Sequence, residues 1–367
     1  MKLGTIAVLL SACLLQVGSP LLGQQQGSTT LLRLYEDDDY FNILGKGTDD
    51  AYTNGSRIDF FYTRDAPSHS VVDDILPGAG SGSIDVYGWG IMEMMFTPKE
   101  ISDTAFQPND YPWSGSLFAT HSRRSYNPMR HYMLQTEVVA GIIGPASCSD
   151  LLQEGFHRLI HYQQPRGWRH QFRNDLLLNI NLALEKQLLA LPSETTGHHW
   201  LEFMGGTQVS GGTMVNEASL YTLLRLGRMT PYFNGLLSQY SGPSKAQNSR
   251  KGQWQLYFTV RPQVTAVATN ALLQGGLLSK KPDESIYMSE TASSETASSG
   301  KTNTPATAIV KVYSPYHPLN GLVYNLDCGG VLAFRRFAIS YTQDWSTALM
   351  KGLYSHMFGN FSLYFVL

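Results

Sequence analysis

The chain has 367 residues, a net charge of −2 and only 15% charged residues, below the roughly 25% typical of soluble domains. So neutral a balance leaves no basic footprint for nucleic acid, and no run of about 18 unbroken apolar residues offers a helical membrane span. With 34 glycines and 11% aromatic residues, the composition suits an exported β-barrel, and a secreted β-sandwich is the plainer alternative.

The N-terminus starts with Lys2, continues with an apolar run from Ile6 to Leu15, and turns small and polar up to Gly23 and Gln24. Residues 1–23 therefore read as a secretory signal peptide, because the run is too short to span a bilayer. Leu10-Ser11-Ala12-Cys13 also reads as a lipoprotein signal, although Cys13 comes early and apolar sequence continues after it. Beyond the signal only Cys148 and Cys328 remain. Two cysteines are no disulfide framework, and a bridge between them cannot be read from sequence. Residues 24–367 read as one barrel domain.

Along that domain many segments alternate with period two. Ile58, Phe60 and Tyr62 alternate with Arg57 and Asp59; Leu178, Ile180, Leu182 and Leu184 alternate with Asn179, Asn181 and Glu185. Trp254, Leu256, Phe258 and Val260 repeat the pattern, as do Phe337, Ile339 and Tyr341, and the final Phe361, Leu363, Phe365 and Leu367. Such dyads mark strands that face lipid on one side and a lumen on the other. A half-buried antiparallel sheet alternates too. The polar partners include Asn, Gln, Arg and Glu, and the chain ends on an alternating apolar strand; both favour the membrane.

About twelve strands are expected, near 31–38, 52–63, 83–96, 116–122, 131–142, 175–188, 199–208, 213–227, 252–272, 306–313, 322–342 and 353–367. An all-β, antiparallel transmembrane barrel of even strand count puts both chain ends on the periplasmic side. Strands one, three and five then end outside, so Glu36-Asp37-Asp38, the turn at Tyr52-Thr53-Asn54-Gly55 and the segment 144–163 share the outer rim. Residues 279–305 hold two copies of Ser-Glu-Thr-Ala-Ser, a composition that cannot bury a core and reads as a mobile outer loop.

The stretch 146–163 reads as a short helix in the third outer loop, with Ser149 as a candidate cap. Leu152, Phe156, Leu159 and Ile160 share one face, and Gln153, His157 and His161 another. His157 is a candidate general base, with Gln153 one turn before it to orient it or a water. A packing histidine is the plain alternative. His157 and His161 at i, i+4 also suit zinc, but no Glu and no third ligand complete a metalloprotease motif. The carboxylates of Glu36, Asp37, Asp38, Asp39, Asp49 and Asp50, with the Thr53 hydroxyl, suit a hard cation such as calcium; a solvated acidic loop reads equally from the same residues.

At these residues the chain resembles the lipid A 3′-O-deacylases, outer-membrane enzymes of Gram-negative bacteria. The likeness rests on Glu36-Asp37-Asp38, Thr48-Asp49, Tyr52-Thr53-Asn54-Gly55, Phe96-Thr97-Pro98 and Asp110-Tyr111-Pro112-Trp113-Ser114-Gly115. It continues through Gly144-Pro145-Ala146-Ser147, Gln153, Phe156-His157-Arg158, Gly167-Trp168, Gln171 and Asn174-Asp175. The resemblance implies a twelve-stranded barrel in the outer membrane, with its site between the outer wall and a short helix; a monomer is expected. It implies calcium and a functional set of an Asn-Asp pair, a Thr and a His. These fall on Asp37, Asp38, Thr53 and His157, with Asp37, Asp38 and Thr53 near the metal. Asp37 departs from the family's Asn, and the lysine of some members has no clear counterpart, Lys99 being the nearest. The implied substrate is lipid A of lipopolysaccharide. The expected reaction is removal of its 3′-linked acyloxyacyl chain by water activated at His157. A non-catalytic structural or transport barrel and a phospholipase of similar shape are the alternatives.

Overall fold

In a computed structural model of the chain, residues 30–43, 50–64, 73, 76–193, 198–241, 254–277 and 317–367 are described. The signal peptide, the Ser-Glu-Thr-Ala-Ser repeats, Thr48 and Asp49 lie outside them.

Twelve antiparallel strands close into one barrel. They are β1 (Thr30–Asp38), β2 (Ala51–Thr63), β3 (Ile84–Thr97), β4 (Ser114–Asn127), β5 (Tyr132–Ile143), β6 (Asp175–Pro192), β7 (His199–Gly212), β8 (Val215–Met229), β9 (Trp254–Asn270), β10 (Leu322–Phe334), β11 (Phe337–Ser346) and β12 (His356–Val366). Each pairs with its sequence neighbours, and β1 pairs with β12 from Leu31↔Val366 to Asp38↔Gly359. Closure leaves no edge strand, which a lipid environment requires.

Two of the expected strands are corrected. The segment 306–313 lies outside the described residues and the ladder closes without it, since β9 pairs directly with β10. The segment 322–342 is two strands, joined at Arg335 and Arg336, with Arg335 at φ 54°. The count of twelve survives because one strand was added and one merged.

The barrel is apolar outside. Ile58, Phe60, Ile91, Leu178, Ile180, Leu182, Leu256 and Phe258 are all exposed on its outer face. This belt is the lipid-facing surface of a membrane barrel. Among the described residues no helix is long and apolar enough to cross a membrane.

The lumen is filled. At the rim where β1 ends, Tyr52, Phe96, Phe118 and Phe172 pack with Leu272 and Leu273 of a one-turn helix, α3 (Ala271–Gln274). Toward the rim of the chain ends, Leu31, Phe61, Tyr126 and Tyr364 pack with Phe233 and with Leu236 of another, α2 (Leu236–Gln239). Between the two clusters runs a belt of ions. Asp59 receives Arg33 at 2.6 Å and Arg57 at 2.8 Å; Arg57 also reaches Glu137 at 2.9 Å. A polar cavity of about 330 Å³, lined by Glu217, Arg261, Asp327 and Asp344, remains to one side.

Asp59 is 1% exposed and serves two guanidinium groups. Removing one partner of such a cluster leaves uncompensated buried charge and costs about 3–5 kcal/mol. Asp59→Ala is therefore expected to destabilise the barrel by that amount, read as a lower denaturant midpoint for the detergent-folded protein.

Candidate active site

The helix of the third long loop, α1 (Ser149–Ile160), lies against the outside of the barrel. Its approach is set by local backbone. Gly144 adopts φ 98°, and a Cβ there would meet the backbone of Arg173 and Asn174 at 2.6 Å, so only glycine fits. A one-turn segment, Pro145–Ser147, follows, and Asn174 accepts the Ala146 N–H at 2.8 Å. The cap residue is Cys148, in the left-handed region, and not Ser149, which is the first helical residue.

The helix is turned inside out relative to a soluble amphipathic helix. Ser149, Gln153 and His157 are its buried residues. Leu151 is 64% exposed and Phe156 47%, while His157 is 3% exposed. A soluble protein would bury the leucines. Here the apolar face continues the lipid-facing belt, and the polar stripe faces the barrel wall. His161 does not extend the stripe: it is the exposed C-cap, in the left-handed region.

The wall beneath is polar. Strand alternation puts Glu36 and Asp38 on the outer face of β1, across from Ser56 and Asn54 of β2. Glu36 accepts from the Asn54 amide at 2.6 Å and from the Ser56 hydroxyl at 2.9 Å. A β-bulge between Tyr52 and Asn54 breaks the period. It sends Tyr52 into the lumen and turns Thr53 outward, where its hydroxyl meets that of Thr97 at 2.7 Å. On β3 the outward residues continue with Glu93, buried at 4% exposure, and Met95. Met95 packs with Ile101, Trp113 and Trp168, which cover the seam from above. One row below, Leu34, Ile58 and Ile91 return the wall to apolar. The island is thus a polar notch cut into a hydrocarbon-facing surface.

Asp37 does not join it. Successive side chains of a strand face opposite sides, and Asp37 faces the lumen. There Tyr35 donates to it at 2.6 Å, Tyr52 at 3.0 Å and Asn360 at 2.8 Å. With both oxygens occupied inside the barrel, Asp37 is not placed to share a cation with Asp38 and Thr53. Asp38 itself accepts the Tyr40 N–H at 2.7 Å as the cap of a short turn. Asp39 is buried and accepts the Asp50 N–H at 3.1 Å.

His157 and Gln153 are held in defined states. The Nδ1–H of His157 donates to the Gln163 carbonyl at 2.5 Å, which leaves Nε2 as the nitrogen bearing the lone pair. Trp168 donates its indole N–H to Gln153 Oε1 at 2.8 Å, so Nε2 is the group Gln153 presents elsewhere. That Nε2 has no partner. The Glu93 carboxyl meets only the Ser149 hydroxyl, which is also bonded to Ser147 at 3.0 Å. Carboxylate oxygens on the wall with so few donors fit a cation, although among the described residues no three His, Cys, Asp or Glu side chains cluster closely enough to hold one. Hydroxyl oxygens would have to complete the set. Glu93 was missed by sequence reasoning; a lone glutamate amid the apolar run Trp89–Met95 was its only signal.

A family model described as "Outer membrane protein LpxR" matches residues 8–301. A search of curated proteins finds no match. Among solved structures, LpxR from Salmonella typhimurium superposes with a TM-score of 0.66 at 14% identity, covering 91% of this chain and 99% of that one. The β domain of the Bordetella autotransporter BrkA scores 0.40 at 9% identity, covering 92% and 98%.

Two substitutions test this geometry. A Cβ at Gly115, on the outer face of β4, would lie 2.3 Å from Ser149 Oγ and 2.4 Å from its Cβ. Gly115→Val is expected to lift α1 off the wall: hydrogen exchange across residues 149–160 should accelerate while protection of the strands is kept. Asp37→Asn is expected to cost under about 1 kcal/mol, because the amide can donate to the two tyrosine hydroxyls and still accept from Asn360. Asp37→Ala, which leaves three buried donors unmatched, should cost about 1–3 kcal/mol; denaturant midpoints separate the two.

Proposed function

The chain belongs to the LpxR family of outer-membrane proteins, and from that membership we propose that it is a lipid A 3′-O-deacylase. It hydrolyses the ester of the 3′-linked acyloxyacyl chain of lipopolysaccharide in the outer leaflet. The observation that carries the reading is the inverted helix. Its polar stripe of Ser149, Gln153 and His157 faces a polar notch in the wall, and its apolar face is exposed toward hydrocarbon. An amphiphilic substrate whose ester lies at the boundary between headgroup and acyl chains meets both surfaces without leaving the membrane.

The roles follow from the bonding. His157, with Nδ1–H held by the Gln163 carbonyl, takes a proton from water at Nε2 and later returns it to the leaving alcohol. Gln153 is fixed by Trp168 and offers its Nε2–H₂ to the water or to the ester oxygen. The Thr53 hydroxyl, paired with Thr97, and Asp38 line the notch. A calcium ion bound there, with Asp38 and Thr53 among its ligands, would polarise the ester carbonyl and stabilise the oxyanion. Asp37 supports the wall from the lumen side. No step requires its carboxylate to be an amide, so the departure from the family's Asn is compatible with activity. The protein acts as a monomer, since stripe, notch and covering tryptophans all come from one chain.

The decisive measurement is the mass spectrum of lipid A from cells with and without the protein. Wild type should remove the 3′ acyloxyacyl group. His157→Ala should leave lipid A intact while the barrel keeps its heat-modifiable migration in gels. Full activity in His157→Ala would remove the histidine from the base position. Unchanged lipid A with a folded wild-type barrel would overturn the deacylase, and fatty acid released from phospholipid would point to a phospholipase.

A further inference from the structure

Glu93 has no part in the steps above. It stands on the outer face of β3, across the ladder from Ser56, which pairs in turn with Glu36. Glu36, Ser56 and Glu93 thus form one row on the wall. Glu36 is answered by Asn54 and Ser56. Glu93 is 4% exposed, and among the described residues only the Ser149 hydroxyl stands against its carboxyl. The arginines of the adjoining strands do not reach it: Arg33 and Arg57 point to the lumen, where Asp59 and Glu137 take them.

A buried carboxylate met by one hydroxyl and no cation is unfavourable. The next row on this face is Leu34, Ile58 and Ile91, so the wall readily accepts an apolar side chain at such a position. A cation from outside the chain would satisfy an ionised glutamate here. The surroundings define its class. Close by are a second carboxylate, Glu36, and a hydroxyl, Ser149. One helical turn beyond Ser149, the buried Gln153 Nε2 lacks a partner, and an amide donor with no acceptor calls for an oxygen such as that of a coordinated water. An oxygen-only donor set with two carboxylates suits a hard divalent cation.

We propose that Glu93 is the principal carboxylate ligand of a calcium site in the seam between β3 and α1, with Glu36 flanking it and Ser149 contributing its hydroxyl. Asp38 and Thr53 stand one row above on the same wall. The proposal rests on the calcium-assisted reading above and deepens it by naming a ligand outside the Asp38–Thr53 pair.

The test is calcium titration by calorimetry on the full-length, detergent-folded protein, with terbium(III) as an optical probe. Trp113 and Trp168 pack on Met95, two residues from Glu93, and should sensitise terbium emission that calcium displaces. Glu93→Gln, nearly isosteric, should weaken calcium binding more than tenfold and abolish the emission, with heat-modifiable migration retained. Glu36→Gln serves as the second variant and should weaken binding at least threefold, also where Glu93→Gln does not fold. Calcium binding by Glu93→Gln equal to wild type overturns the proposal, as does equal binding by Glu36→Gln when it is the variant that folds. Wild-type protein that deacylates lipid A without binding calcium overturns it as well and leaves the hydrolase standing. Calcium binding that depends on Glu93, in a barrel that leaves lipid A intact, upholds the site and removes the deacylase.

Discussion

A polar group facing hydrocarbon has no water to bond, and the structure around α1 follows from that constraint. The notch formed by Glu36, Asp38, Thr53, Asn54 and Glu93 would be untenable on a bare lipid-facing wall. The stripe of Ser149, Gln153 and His157 would be equally untenable on a bare membrane helix. Packed together, each hides the other, and both are sealed by Met95, Ile101, Trp113 and Trp168.

Much of the barrel was legible because lipid and lumen impose a period of two. The ends of β1, β2 and β3 were placed within about a residue. The hairpin at Arg335-Arg336 was not, because its turn uses an arginine at positive φ where glycine or asparagine is the usual signal. The helix was legible as amphipathic, and its stripe was read from i, i+4 spacing. Which face would be buried was not, since periodicity reports two faces without saying which solvent each meets. The Asp37–Asp38 pair shows the same limit. Adjacent carboxylates read as a nest in one dimension, yet a strand sends them to opposite sides of the wall, and the bulge at Thr53 that brings a hydroxyl to Asp38's side carries no marker in composition.

The filled lumen bears on the transport alternative. Aromatic and leucine side chains close the barrel near both rims, with α3 and α2 folded in from opposite ends. Between them Arg33, Asp59, Arg57 and Glu137 neutralise one another. The cavity beside Arg261 and Asp327 opens on one side of this packing. Among the described residues the lumen is thus packed near both rims, and a further group of polar side chains, the notch, lies on the outer wall. That inverts the usual economy of a porin, in which polar residues face the channel and the outer wall is uniformly apolar.

Lumen and notch are nonetheless joined through one strand. Asp37 is clamped from inside by Tyr35, Tyr52 and Asn360, and Asp38, the next residue, faces the notch. Tyr52 precedes the bulge that turns Thr53 outward, and its ring packs on Phe96 and Phe358 at 5.4 and 4.9 Å. The inner bonds therefore set the height and the twist at which Asp38 and Thr53 are presented. By this geometry a substitution at Asp37 reaches Asp38 and Thr53 through the backbone. The lumen asks at this position only for an oxygen toward Asn360 and a partner for two rotatable hydroxyls, which an aspartate and an asparagine both supply.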